Sequence, residues 1–223
     1  MKISILIPAY NRELYIGRCI RSLLDQSFDR SQYEIIIIND GSDDLTSFAI
    51  SQFVSPFDEN LIVINRDKNM GLPYSLNEGL KIARGEYFVR VDSDDYVNRD
   101  FLRVLYLAIS LNQFDAVACD YYRVDEAENF LERFNCIDYP IACGVIFRKD
   151  AVLSLGGYDP SFLMHEDQEL MFRFKQVFTV NGIPFPLYRY RIHDENMTKN
   201  QKLSDKFERL LEVNKSKNSG DVD

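Results

Sequence analysis

Tyr87-Phe-Val-Arg-Val-Asp-Ser-Asp-Asp95 is an apolar run that stops abruptly in three carboxylates. Buried acids are costly unless paired or bound to a metal, so a strand ending this way is expected to open into a site. Val, Phe and Tyr favour a pleated strand. Side chains two apart on such a strand point the same way, which predicts that Asp92 and Asp94 converge on one face. Two convergent carboxylates suit a hard divalent cation, and such a cation implies a phosphate-bearing ligand. The plainer alternative is an acidic loop facing water.

Strand and helix patterns alternate ahead of this run. Ile3 to Pro8 reads as a buried strand, and Asn11 is placed to cap a helix carrying Leu14, Ile20, Leu23 and Leu24 at helical spacing. Tyr33 to Asn39 is a second strand, followed by Asp40-Gly41-Ser42-Asp43-Asp44, a turn that doubles as a helix start. A helix near Leu45 to Val54 leads to a third strand, Leu61 to Asn65. Gly71 precedes a helix to about Arg84, which Gly85 is expected to close, and Tyr87 to Val91 is the fourth strand. This alternation indicates a parallel, layered α/β sheet.

Beyond the acids the pattern changes. A helix near Arg99 to Leu111 is followed by a strand near Ala116 to Val124 and then by less regular sequence. Glu166 to Gln176 reads as a helix, and Thr179 to Arg191 as extended segments broken by Pro184 and Pro186. Leu203, Phe207, Leu210 and Leu211 form one stripe of a final amphipathic helix, expected to pack on its own domain. The polar end, Asn214 to Asp223, is expected to be disordered.

The 223 residues are 46% hydrophobic and 27% charged, which fits one globular domain with a substantial core. A net charge of −9 argues against a broad nucleic-acid-binding surface. Aliphatic runs such as Ile35 to Ile38 are far too short to span a bilayer. The first residues lack a signal peptide's long apolar region, so a cytoplasmic location is expected. Cys19, Cys119, Cys136 and Cys143 show no metal-ligand spacing. Cys19 and Cys119 read as small core residues, and all four as free thiols.

In parallel α/β sheets, ligands bind at the carboxyl ends of the strands. Those ends here present Pro8-Ala9-Tyr10-Asn11, Asn39-Asp40-Gly41-Ser42, Arg66 to Gly71, and Asp92 to Asp95. Tyr10 is suited to stacking on a ring and Asp40 to accepting hydrogen bonds from a base or sugar. Asn69 and Gly71 would supply an amide and close backbone approach. Together they suggest a nucleotide pocket completed by a metal.

This ordered set resembles the family 2 inverting glycosyltransferases of the GT-A fold. The resemblance is carried by Ser4-Ile-Leu-Ile-Pro-Ala-Tyr-Asn11, Ile38-Asn-Asp-Gly-Ser-Asp43, Asn69-Met-Gly-Leu-Pro-Tyr-Ser-Leu-Asn77, Gly85-Glu-Tyr87, Asp92-Ser-Asp-Asp95 and Glu166-Asp167. It covers about residues 2 to 200. It implies a single Rossmann-like domain with a mixed, mainly parallel central sheet. A nucleotide-binding half would span 1–98 and an acceptor half 99–200, followed by a helix at 201–213 and the polar tail at 214–223.

By that resemblance, the backbone of Pro8, Ala9 and Tyr10 and the carboxylate of Asp40 would hold the nucleoside, with Asn69, Gly71 and Ser93 beside it. Asp92 would reach the ribose and Asp94 the metal, Mn²⁺ or Mg²⁺. Asp167 matches the family's catalytic base. His193 sits where many relatives carry an Arg-x-His segment near the diphosphate, as a metal ligand or phosphate donor, with Arg191 as a partner for phosphate. His165 reads as an acceptor-side or structural residue. The donor implied is a nucleoside diphosphate sugar, UDP-linked by expectation, and the acceptor a hydroxyl of a glycan or lipid-linked glycan. A peripheral membrane association at the inner face is compatible with this reading.

The chain departs from the family's processive synthases: it has no Gln-x-x-Arg-Trp motif and no tryptophan. Transfer of a single sugar is therefore expected. Leu76 stands where many relatives have Arg. An aspartate-nucleophile phosphohydrolase would want Thr or Val where Tyr96 stands. An EF-hand would want Gly at Val97 and Glu at Arg103. GxGxxG is absent, against a Rossmann dehydrogenase. The remaining rival is a GT-A-like domain that binds a nucleotide sugar or a protein without turnover.

Overall fold

The aliphatic runs of the first half are buried on both faces because helices cover both. In the computed structural model, which describes residues 1–194 and 206–212, β1 (Ile3–Ala9), β2 (Tyr33–Asn39), β3 (Leu61–Asn65) and β4 (Tyr87–Arg90) pair in parallel in the order β3-β2-β1-β4. Alternate side chains divide between two cores, as the pleat requires. Ile3, Ile5, Ile7, Ile35 and Ile37 pack with Ile16, Cys19, Ile20 and Leu23 of α1 (Ile16–Leu24). Leu6, Ile36 and Ile38 pack with Leu76 and Leu80 of α3 (Leu72–Ile82). Each fully buried aliphatic side chain contributes about 1.5–3 kcal/mol. The short α2 (Thr46–Ser51) lies with α1.

The second half extends the same sheet with mixed pairing. β8 (Val145–Arg148) runs antiparallel to β4 and to β6 (Ala116–Val124). β9 (Val180–Arg191) runs parallel to β6, and its far edge takes the two-residue β5 (Tyr96–Val97). β7 (Phe130–Phe134) pairs with the end of β6. Helix α4 (Phe101–Asn112) joins the first core, and α5 (Lys149–Ser154) and α6 (Glu166–Val177) join the second. This is the mixed α/β fold expected. β7, β8 and α5 occupy the stretch that reads as irregular in sequence. Pro184 and Pro186 leave β9 one strand, with the register stepping from Ile183 to Pro186 opposite Cys119 and Asp120.

Two local expectations fail. Asn11 does not cap α1: it adopts φ 51°, which Asn tolerates, and its side chain holds Asp43 through both its amide groups, while the helix begins at Ile16 and Leu14 is 79% exposed. Gly85 is not a left-handed helix end either. A Cβ there would lie 2.5 Å from Ser4 N and 2.6 Å from Tyr87 O, so glycine is required for close backbone approach to β1. Leu203 and the 214–223 tail lie outside the described residues, whereas residues 206–212 are helical as expected. All four cysteines are buried free thiols.

Candidate functional site

Strand β4 ends at Arg90, and the acids after it form a tight turn closed by Asp95 N–H donating to Asp92 C=O at 3.0 Å. A turn breaks the two-residue alternation of a strand, so Asp92 and Asp94 do not converge as expected. Asp92 accepts from Arg90 Nε and Nη2 at 2.6 and 3.1 Å, and from the Cys143 thiol at 2.9 Å. Asp94 lies 2.9 Å from His193 Nε2 and 3.3 Å from Arg12 Nε. Burial pushes the Asp94 carboxyl up, but the His193 hydrogen bond and the Arg12 charge outweigh it and hold the acid below its ordinary range.

The third acid anchors the turn. Asp95 is buried and accepts from Tyr188 OH and Arg191 N, each at 2.8 Å, while Tyr188 OH accepts from Asp92 N–H. Burial, then the charges of Asp94 and Asp92, raises its carboxyl well above the usual range. Arg191 does not present its guanidinium to a phosphate as expected. It donates to Asp94 C=O, Glu126 C=O and Glu128 Oε1, between the rings of Tyr15 and Tyr96. It is a brace for the turn. Ser93 is buried within that turn.

Arg90 connects the turn to the first turn of α6. Its Nη1 donates to Glu166 Oε1 at 2.7 Å while its other nitrogens hold Asp92. Asp92 and Glu166 together keep this buried guanidinium charged in spite of its burial. Asp167, the next residue, is partly buried. Burial raises its carboxyl above the ordinary aspartate value, and the Arg90 charge opposes that rise. His165 precedes the pair with φ 61°, and its Nδ1 lies 3.0 Å from Gln168 Nε2.

At the carboxyl end of β2 the arrangement is built by Asp40. Its Oδ1 accepts from Arg66 Nη1 (2.8 Å) and Met70 N (3.0 Å), and its Oδ2 from Gly71 N (2.8 Å). With three donors already served, Asp40 shapes the 66–71 loop rather than standing open to a base as expected, and Gly71 N is spent on it. Gly41, at φ +71°, lets the Lys68 and Asn69 backbone approach to within 2.3–2.6 Å of where a Cβ would sit. Tyr10 is 43% exposed at the end of β1, with Ala9 buried and Pro8 half-buried before it, and Asn69 is also exposed. Asn77 of α3 bonds both backbone groups of Tyr158, at 2.7 and 2.9 Å, tying this side to the loop that leads to Asp167.

A family model described as glycosyl transferase family 2 matches residues 4–195. The chain belongs to that family. Among family relatives, poly(ribitol-phosphate) beta-glucosyltransferase of Bacillus spizizenii is 42% identical over 116 residues, covering 52% of this chain and 18% of that protein. Glycosyltransferase GlyA of Streptococcus pneumoniae is 35% identical over 127 residues, covering 57% and 18%. The chain thus spans under a fifth of either relative. Residues 1–349 of Staphylococcus aureus TarS, solved in complex with UDP-GlcNAc, superpose with a TM-score of 0.76 at 22% identity, covering 90% of this chain and 61% of that one. Mannosyltransferase PcManGT of Pyrobaculum calidifontis, solved with GDP-Man and Mn²⁺, gives 0.72 at 18% identity, covering 87% and 58%. These likenesses establish the shared fold.

Within this family 2 fold, Asp94 and His193, far apart in sequence, are brought together as expected. Asp92 and Asp167 share the neighbourhood of Arg90. Two donor sets suggest themselves for a metal. Asp92, Asp95 and Cys143 bring ligand atoms within 4.8 Å of one another. That set fits poorly: both Asp95 oxygens already accept hydrogen bonds, and burial, with Asp92 beside it, keeps the Cys143 thiol protonated. Asp94 and His193 fit better, as a carboxylate and an imidazole nitrogen side by side, a mixture suited to Mn²⁺ and less so to Mg²⁺. Arg90, Arg12, Asp95 and Cys143 were not singled out as site residues from the sequence. Asp95 was legible as the third acid of the run and Arg90 as a charge inside an apolar strand two residues before Asp92, while Arg12 and Cys143 carried no signal.

Proposed function

We propose that this chain transfers a single sugar from a nucleoside diphosphate donor, UDP-linked in the first instance, to a hydroxyl of a glycan or lipid-linked glycan, with inversion at the anomeric carbon. The observation that carries this reading is the buried Arg90 bridge, which joins the Asp92–Asp95 turn to the Glu166–Asp167 helix start. Asp167 takes the proton of the acceptor hydroxyl as its oxygen attacks the anomeric carbon, and the nucleoside diphosphate leaves on the opposite face. Its raised carboxyl supports that role, since a base works best with its pKa moved toward the working pH. Asp92 contacts the ribose from the turn that Asp95 and Arg191 brace. Tyr10 and the Pro8–Ala9 backbone contact the base. Asp94 and His193 would hold Mn²⁺ or Mg²⁺, which when bound offsets charge growing on the diphosphate.

On this reading the donor half runs to residue 98 and the acceptor half from 99 to 200. The named activities of relatives favour a cell-surface polymer or its precursor as acceptor, including polyol-phosphate chains, and hence work at the cytoplasmic face of a membrane. No helix among the described residues is long and apolar enough to cross a membrane, and a peripheral association is proposed. The test is transfer from a panel of UDP-sugars by the native chain and by Asp167→Asn. Transfer by the first and none by the second is expected. Equal transfer by both would remove Asp167 as the base. Nucleotide-sugar binding without transfer by the native chain would favour a silent binding domain.

A further inference from the structure

The segment leading to Asp167 is held on one side by a helix that neither sheet core contains. Phe162 and Met164 are buried at 0% and 6% exposure, and their apolar partners are Phe207 and Leu211 of the helix at 206–212. These four form a cluster separate from both cores, with the Phe162 and Phe207 rings 6.2 Å apart. Leu163 points the other way, and its Cδ2 lies 2.9 Å from where a Cβ on Gly71 would be. His165 Nε2 faces Glu208 Oε1 at 3.9 Å. His165 also holds a left-handed backbone conformation, φ 61°, which a residue with a side chain keeps only when its surroundings over-determine it. The next two residues are Glu166, locked to Arg90, and Asp167.

We propose that Phe207 and Leu211, seated on Phe162 and Met164 with Glu208 facing His165, are positioning residues that fix Asp167 at the start of α6. The proposal rests on Asp167 being the base. Its physical logic is local. Without the helix, Phe162 and Met164 would lose their apolar cover and the 159–165 loop would open more often. The base would then spend less time in the reactive geometry, and small displacements of a catalytic group are expensive in rate.

The test uses the full chain carrying Phe207→Ala and Leu211→Ala together, with Phe207→Leu as the conservative control. Amide hydrogen exchange is followed in parallel with transfer kinetics and UDP binding. The expected result is faster exchange confined to about residues 160–170, with β1, β2 and α1 as slow as in the native chain. The turnover number falls by about 10- to 100-fold while the donor KM stays nearly unchanged, and Phe207→Leu restores both exchange and turnover. Native exchange and native turnover in the double variant would overturn the proposal. So would faster exchange throughout the sheet, which would make the helix a general stabiliser. If Asp167→Asn transfers normally, the base assignment fails instead, and the exchange pattern alone decides whether the helix clamps this segment.

Discussion

Replacing Arg90 by Met should strand two acids at once. The guanidinium is 7% exposed and its partners Glu166 and Asp92 are 5% and 24% exposed. Removing one member of a buried ion pair costs about 3–5 kcal/mol, because the partner's charge stays buried without compensation. Water softens the Asp92 arm, so most of that cost falls on Glu166. Adding Glu166→Gln to Arg90→Met removes the stranded charge and should return about 2 kcal/mol, a coupling within the range of about 0.5–3 kcal/mol seen for contacting residues. Urea unfolding at pH 7 of the native chain, both single variants and the double variant closes the cycle. Arg90 also opposes the rise of the Glu166 and Asp167 carboxyls, so its loss should move the acidic limb of the transfer profile to higher pH. Arg90→Met within about 1 kcal/mol of the native chain, or no recovery on adding Glu166→Gln, would refute the bridge.

Three further outcomes follow from the same geometry. Asp167→Asn should unfold like the native chain and bind nucleotide equally well, while transfer falls by about 10²–10⁴-fold in a UDP-release assay. Glu34 accepts from Ser4 Oγ, Arg84 N and Arg84 Nε; burial pushes its carboxyl up, but these hydrogen bonds prevail and lower it from 4.5. That stability is present above the unfolded value and lost as pH falls through the folded one, so Glu34→Gln should cost about 1.5–3 kcal/mol at pH 7 in urea unfolding, the gap narrowing below pH 4.5. Gly41→Ala combines a positive φ with a clash on the Lys68–Asn69 backbone, and should cost about 1–3 kcal/mol and weaken UDP binding in calorimetry.

The first half was legible because its strands are continuous aliphatic runs, Ile35 to Ile38 above all, that only a sheet covered on both faces can bury. β7 and β8 were not, since β7 is an exposed edge strand without alternation and β8 is four residues long. Asn11 and Gly85 misled for related reasons. Both types commonly end or begin helices, and here tertiary contacts with Asp43 and with Ser4 claimed them instead. At the site, the residue types were readable and the pairings were not. Which acid meets His193 depends on the turn at 92–95, and Cys143 reaches Asp92 from 51 positions away. Arg191 shows the same limit, because an arginine beside an acidic turn can brace it or offer itself to a ligand with the same sequence.

The central claim is a nucleotide pocket completed by a metal at Asp94 and His193, with the base outside it. Calorimetric titration of UDP, with and without Mn²⁺, into the native chain, Asp94→Asn and Asp167→Asn tests this most directly. Binding to the native chain and Asp167→Asn that strengthens with Mn²⁺, with that strengthening lost in Asp94→Asn, is the expected result. No UDP binding under any condition, or full Mn²⁺ dependence retained in Asp94→Asn, would contradict it.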